Sequence, residues 1–165
     1  MPYRVRRGND TVHTDVAVST VLSELELGEA FTFDQLTAAS ERRRRRPIRI
    51  VEIEGLGKEA GLCAAVLLHE QIDLVVHQPT DSVLHRQQFV LHEIAHLLLG
   101  HLEAQDDDEP DFLLPDIPAA TRRRLLRRQD PDSPHEIAAE SLADRFAAGI
   151  RRAARHDDRF VEIFG

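Results

Sequence analysis

The sequence predicts an α+β fold from three observations. Apolar residues at helical spacing occur toward both ends of the chain, short apolar or alternating runs occur in its middle, and Gly and Pro residues separate the two kinds of segment. The chain has 165 residues, of which 42% are apolar and 30% charged. This length and composition fit one globular domain, so we expect residues 1–165 to form a single unit.

Three short segments in the middle of the chain predict strands. Residues 48–53 follow Pro47 and mostly alternate between apolar and charged side chains, which is typical of a half-buried strand. Residues 62–68 and 72–76 are apolar runs joined by a connection of hairpin length. Because a hairpin pairs its strands antiparallel, we expect a small, mostly antiparallel three-stranded sheet.

Helical segments are predicted on both sides of these strands. Residues 16–27 have one apolar face, and a second helix opens at residue 33 and ends before Pro47. A third helix is predicted between the N-cap residues 80–82 and the terminating Gly100. We expect the third helix to pack against the sheet together with the other helices.

The last predicted helix has the clearest start. Ser133 is a good N-cap, Pro134 suits the first helical position, and Glu136 completes a capping box, after which the helical pattern runs to about Arg155. Before it, residues 102–133 are predicted to be an insertion composed of an acidic loop and a short basic helix at residues 121–128.

Charge and cysteine content exclude several functions. A net charge of −8 argues against direct nucleic-acid binding as the main activity. The single cysteine, Cys63, cannot form an intrachain disulfide. The longest uninterrupted apolar run, residues 62–68, is far shorter than the roughly 20 residues that a membrane-spanning helix needs. We therefore expect a cytoplasmic protein without a membrane partner.

One motif in the third predicted helix points to chemistry. Residues 92–96, His-Glu-Ile-Ala-His, form an H-E-x-x-H pattern, which is expected roughly 0.04 times in a shuffled chain of this composition. Residues four apart on a helix lie about one turn apart on the same side, so His92 and His96 can reach one ion. Neutral imidazoles suit Zn²⁺, and Glu93 would lie beside a bound water as a general base. The motif therefore predicts a metal site.

A third ligand is expected from the last predicted helix. Glu136, Glu140 and Asp144 are spaced four residues apart and so share a helix face. Because the capping box would occupy Glu136, we expect Glu140 to complete the site, with Glu136 as the alternative. Asp144 is placed to accept the outer N–H of a ligating histidine. His101 is expected to be stabilised by the negative end of the helix dipole rather than to bind metal.

These two motifs together resemble the ImmA/IrrE family of bacterial metallopeptidases. The similar segments are residues 89–101, FVLHEIAHLLLGH, and residues 140–147, ESLADRFA. They follow a hairpin and the strand after Pro47 in the same order, so the resemblance extends over roughly residues 31–155, which we expect to form the core of the domain.

The resemblance implies a zincin-like domain with zinc held by His92, His96 and Glu140. It also implies that Glu93 is the catalytic base. The implied substrate is a helix-turn-helix repressor or antitoxin, which would be cleaved under a stress or mobile-element signal, and this cleavage would regulate transcription.

The leading hypothesis is therefore a zinc-dependent endopeptidase that uses a metal-activated water. Two imidazoles and a carboxylate also accept Mn²⁺, so the donor set does not select one ion. Two alternatives remain. One is a zincin scaffold that binds a transcription factor without cleaving it, and the other is a structural zinc closed by a fourth protein ligand.

Overall fold

The α+β class is confirmed by the computed structural model, which describes residues 7–56, 63–69, 71–102 and 132–164. In these segments it contains four helices and three strands. They are helices α1 (Arg7–Leu25), α2 (Phe33–Arg44), α3 (Val83–Leu98) and α4 (Pro134–Phe164), and strands β1 (Ile48–Glu52), β2 (Ala64–Leu68) and β3 (Asp73–His77). Nearly all of the predicted 102–133 insertion, with its basic helix at 121–128, lies outside the described residues. None of the described helices is long and apolar enough to cross a lipid bilayer.

The sheet is mixed, with the strand order β1-β3-β2. Strands β2 and β3 form the predicted antiparallel hairpin, with Ala64 opposite His77. Strand β1 pairs with β3 in parallel, with Ile48 opposite Asp73 and Glu52 opposite His77. The expectation of a mostly antiparallel sheet was therefore wrong for β1. Strands β2 and β3 run in opposite directions, so a strand that would be antiparallel to β2 is parallel to β3.

Local hydrogen bonds explain where α2 begins and ends. The Thr32 hydroxyl accepts the Gln35 N–H at 3.1 Å, and the Gln35 side chain accepts the Thr32 N–H at 2.8 Å, which completes a capping box. At the other end Arg45 takes a left-handed conformation with φ of 54°. Pro47 follows two residues later, where a helix could not continue.

Helix α3 forms the centre of the core. Ser82 caps its start by accepting the His85 N–H at 3.2 Å. The helix packs on β2 and β3 with one side and on α4 with another. Fully buried apolar side chains fill these contacts: Val66, Val75, Ile94, Leu97, Leu142 and Phe146. The consecutive apolar residues of α3 are thus explained by burial on more than one face.

Arginines at the end of α2 tie this helix to the sheet and to α3. The buried carboxylate of Asp73 lies 2.9 Å from Nε of Arg44 and 3.1 Å from Nε of Arg46. Arg43 donates a hydrogen bond to the carbonyl of Leu98, at the end of α3, at 2.7 Å. These three side chains of the arginine run therefore act inside the fold.

Candidate metal centre

Helix α3 brings the two histidines of the H-E-x-x-H motif onto one side. Their Nε2 atoms lie 3.0 Å apart. His96 is buried, with 2% of its side chain exposed, whereas 31% of the His92 side chain is exposed. The pair therefore spans the boundary between the core and the surface, so a ligand could approach from the His92 side.

The third group of the cluster is the carboxylate of Glu136, in the first turn of α4. Its Oε2 lies 3.1 Å from Nε2 of His92 and its Oε1 lies 3.2 Å from Nε2 of His96. One nitrogen from each imidazole and one carboxylate oxygen thus lie within 4.8 Å of one another, close enough to hold one metal ion. Helices α3 and α4, which pack tightly on each other, set this geometry together.

The distances between these atoms fit a tetrahedral zinc site. With zinc–ligand bonds of about 2.0–2.1 Å, neighbouring ligand atoms are roughly 3.3 Å apart. The two Nε2 atoms are 3.0 Å apart and Oε2 of Glu136 lies 3.1 Å from Nε2 of His92, both within a few tenths of an ångström of that value. The 3.2 Å contact of His96 Nε2 is made by the other carboxylate oxygen, Oε1. A cation also satisfies all three contacts at once. Protons on both Nε2 atoms would satisfy the carboxylate but would leave two N–H groups facing each other.

His96 is held in the neutral form that metal binding needs. Burial, assisted by repulsion from the neighbouring imidazoles of His92, His101 and His135, lowers its pKa from 6.5 to about 3. At neutral pH the ring therefore carries one N–H and one lone pair. A lone pair at Nε2 would point to the centre of the cluster.

The expected ligand Glu140 is not a member of the cluster that could hold a metal ion. Its side chain is exposed, and the group that could hold a metal contains Glu136 instead. The reason lies in the capping box. Ser133 Oγ does accept the Glu136 N–H at 3.2 Å, but this bond uses the backbone and leaves the Glu136 carboxylate to contact the imidazoles. Asp144 is also exposed, so the structure does not bring it to the site as the expected hydrogen-bond acceptor.

Glu93, the expected general base, lies between the two histidines in sequence and is 8% exposed. Charged groups are rarely buried without a partner, and Glu93 does interact with other groups of the protein. His92, Glu93 and His96 thus share helix α3, and the two histidines contact Glu136 in the first turn of α4.

Sequence reasoning missed two further histidines at the cluster. Nδ1 of His101 lies 2.8 Å from Nδ1 of His96. The ring of His135 stacks on that of His101, with centroids 4.1 Å apart and an angle of 14° between the planes. His101 was expected only to be stabilised by the helix dipole, whereas the turn at Gly100 brings it back onto His96. Gly100 was the available signal, because a glycine at this place turns the chain back onto the helix.

Comparisons with protein-family models, with characterised proteins and with solved structures give no match. The geometry of the chain's own residues is therefore the structural basis for inferring its chemistry. That geometry defines a candidate centre for one divalent cation, with two imidazole ligands and one carboxylate ligand on two packed helices.

Proposed function

We propose that the chain is a zinc-dependent endopeptidase whose metal is held by His92, His96 and Glu136. The observation that carries the proposal is the meeting of three donor atoms from α3 and α4 within 4.8 Å. Two imidazoles and one carboxylate are also a donor set found in catalytic zinc sites of peptidases. Glu136 replaces Glu140 in this proposal because it is the carboxylate that contacts both rings.

Exposure of the cluster favours a catalytic centre over a structural one. The side chains of His92 and Glu136 are 31% and 15% exposed, so the cluster opens to solvent on one side. Among the residues that the structure describes, the metal-binding group contains three members and no fourth. Structural zinc sites are usually closed by four protein ligands, whereas catalytic ones keep a position for water or substrate.

Glu93 has the chemistry that peptide hydrolysis requires. When bound, zinc makes a water more acidic and polarises a carbonyl group. Glu93 would accept the proton of the attacking water and donate it to the amine that leaves the cleaved peptide bond. His92, His96 and Glu136 would stay in place during this transfer, since two packed helices hold them.

The substrate class in this proposal comes from the resemblance to the ImmA/IrrE family. A helix-turn-helix repressor or antitoxin is the proposed substrate, which would make the peptidase a regulator of transcription under stress. The buried carboxylate of Glu93 supports cleavage over binding alone, because a scaffold that only binds a protein does not need a base between its metal ligands.

Metal content tests the first half of the proposal. The purified protein, dialysed against Zn²⁺, is expected to contain one equivalent by mass spectrometry of the metal. Glu136→Gln should lose most of it, whereas Glu140→Gln, one turn further on the same helix and exposed, should retain it. A wild-type protein without zinc, or equal metal content in the two variants, would contradict the proposed ligand set.

Cleavage tests the second half. The zinc-loaded protein is incubated with a helix-turn-helix protein encoded beside it, and the products are identified by mass spectrometry. We expect one main cleavage site, inhibited by a chelator and lost in Glu93→Gln, which should still bind zinc. A stable complex without any chelator-sensitive cleavage would instead indicate the binding scaffold.

A further inference from the structure

The end of α3 is shaped so that His101 returns to His96. Gly100 has a left-handed conformation with φ of 71°. Its N–H donates to the Leu97 carbonyl at 3.3 Å, and the His101 N–H donates to the His96 carbonyl at 3.2 Å. These two bonds are those of a Schellman motif, in which the residue after the glycine packs on the residue five positions earlier. Usually that contact is apolar, but here it joins two imidazoles.

The two rings make a direct hydrogen bond in the core. Their Nδ1 atoms are 2.8 Å apart, and His96 and His101 are only 2% and 6% exposed. The ring of His135 stacks on His101, so the His101 ring is restrained on one face. His135 is the neighbour of Glu136 in the first turn of α4, and therefore the same turn supplies a proposed metal ligand and this restraint.

The position of the shared proton decides which imidazole donates the hydrogen bond and which accepts it. A hydrogen bond between two nitrogens needs one proton, and a neutral imidazole has one N–H. If the proton lies on Nδ1 of His96, then Nε2 of His96 keeps its lone pair toward His92 and Glu136. Nδ1 of His101 is then the acceptor, and the proton of His101 lies on its Nε2.

We propose that His101 is a positioning residue that fixes His96 in the tautomer with a bare Nε2, and that His135 holds the His101 ring in place. The inference rests on the proposed metal site, which it deepens. Histidine ligands usually donate their outer N–H to a carboxylate, a carbonyl or water. An imidazole performs that role here, so the acceptor is neutral and adds no negative charge to the site.

Two substitutions at residue 101 separate hydrogen bonding from packing. His101→Phe keeps a flat ring beside His135 but has no acceptor. His101→Asn places an amide oxygen near the position of Nδ1 and so keeps an acceptor. His13→Phe is the control, because His13 is an exposed histidine on α1.

Zinc affinity is measured by competition with a chromogenic chelator, and the Co²⁺-substituted proteins are compared by their visible absorption spectra. We expect His101→Phe to weaken zinc binding by about 10–100-fold and to alter the cobalt spectrum. His101→Asn should stay within about threefold of wild type, as should His13→Phe. Equal affinities for wild type and a folded His101→Phe, or an equal loss in the Phe and Asn variants, would overturn the inference.

The tautomers are measured independently in the wild-type protein by ¹⁵N NMR of the histidine rings. We expect the proton of His96 on Nδ1 and that of His101 on Nε2 when zinc is bound. A protonated Nδ1 on His101 would overturn the inference even if His101→Phe fails to fold. Absence of zinc binding in the wild type would refute the proposed metal site itself, whereas normal binding with the opposite tautomers would refute only the role of His101.

Discussion

Replacing Gly149 with Ala tests how closely α4 packs in this fold. A Cβ atom at this position would lie 2.3 Å from Cε1 and 2.4 Å from Cζ of Phe31. An ordinary carbon–carbon contact is about 3.5–4.0 Å, so either the ring or the helix must move by about 1 Å or more. The Phe31 ring is 6% exposed and the Phe31 N–H donates to the Gly149 carbonyl, so neither partner moves easily.

Two opposing effects set the magnitude. Overpacking a buried site costs about 1–3 kcal/mol, whereas Gly→Ala inside a helix stabilises it by about 1 kcal/mol. Contacts of 2.3 and 2.4 Å place the overpacking cost in the upper half of that range, about 2–3 kcal/mol. We therefore expect Gly149→Ala to lower the free energy of unfolding by about 1–2 kcal/mol. For a chain of this length that corresponds to a fall in Tm of about 2–8 °C.

Urea denaturation of both glycine variants measures this effect. Gly28→Ala is the matched control, since no atom lies within 4 Å of a Cβ there, and its stability should stay within about 0.5 kcal/mol of wild type. In a Phe31→Ala background the clash is absent, so Gly149→Ala should become neutral or stabilising there. A Gly149→Ala protein as stable as wild type, or additive effects of the two substitutions, would refute the reasoning.

Three further predictions concern the metal centre and the buried ion pairs. Zinc at 100 times its Kd should stabilise the protein by about 2.7 kcal/mol, a rise in Tm of about 5–11 °C; Glu136→Gln should lose this shift and Glu140→Gln should keep it, so equal shifts would contradict the ligand assignment. Without metal, in the presence of a chelator, His96 has a pKa of about 3 in the folded state against 6.5 normally, so its protonation favours unfolding. The free energy of unfolding should therefore be full above pH 6.5 and fall by roughly 1 kcal/mol per pH unit toward pH 3. A His96→Asn protein with the same pH profile in urea titrations would contradict this. Asp73→Asn leaves two arginines without their buried carboxylate and should cost about 3–5 kcal/mol in urea denaturation, whereas the exposed Asp81→Asn should change little; similar losses would show that the ion pairs do not stabilise the fold.

The elements of the fold were predictable from the sequence where local chemistry decides them. Ser82 caps α3 and α2 ends ahead of Pro47, as predicted, because hydrogen bonds and proline geometry act within a few residues. The start of α1 was missed because its first turns lack an apolar face; Val12, for example, is 60% exposed. Helix α4 runs past Arg155 to Phe164, over residues that include no Gly or Pro to end the helix.

The parallel pairing of β1 could not be predicted in this way. Residues 48–52 have the same alternating pattern whichever strand of the hairpin they join. The choice between β2 and β3 depends on contacts between distant segments. One such contact is visible in the structure, since Arg44 and Arg46, just before β1, pair with Asp73, the first residue of β3.

At the candidate site, sequence spacing predicted the imidazole pair because one helix sets it. The carboxylate was harder to predict, since it depends on how a second helix approaches the first. Glu136 and Glu140 are equivalent by spacing, and the prediction separated them by assuming that a capping box occupies the whole Glu136 residue. In the structure Ser133 uses only the Glu136 N–H, and both carboxylate oxygens face imidazole nitrogens. A capping box consists of two independent hydrogen bonds, and only one of them involves the glutamate side chain. A glutamate three residues after a helix N-cap can therefore start its helix and serve as a metal ligand at once. The same turn also places His135, the residue before Glu136, so that its ring stacks on His101 at the end of α3.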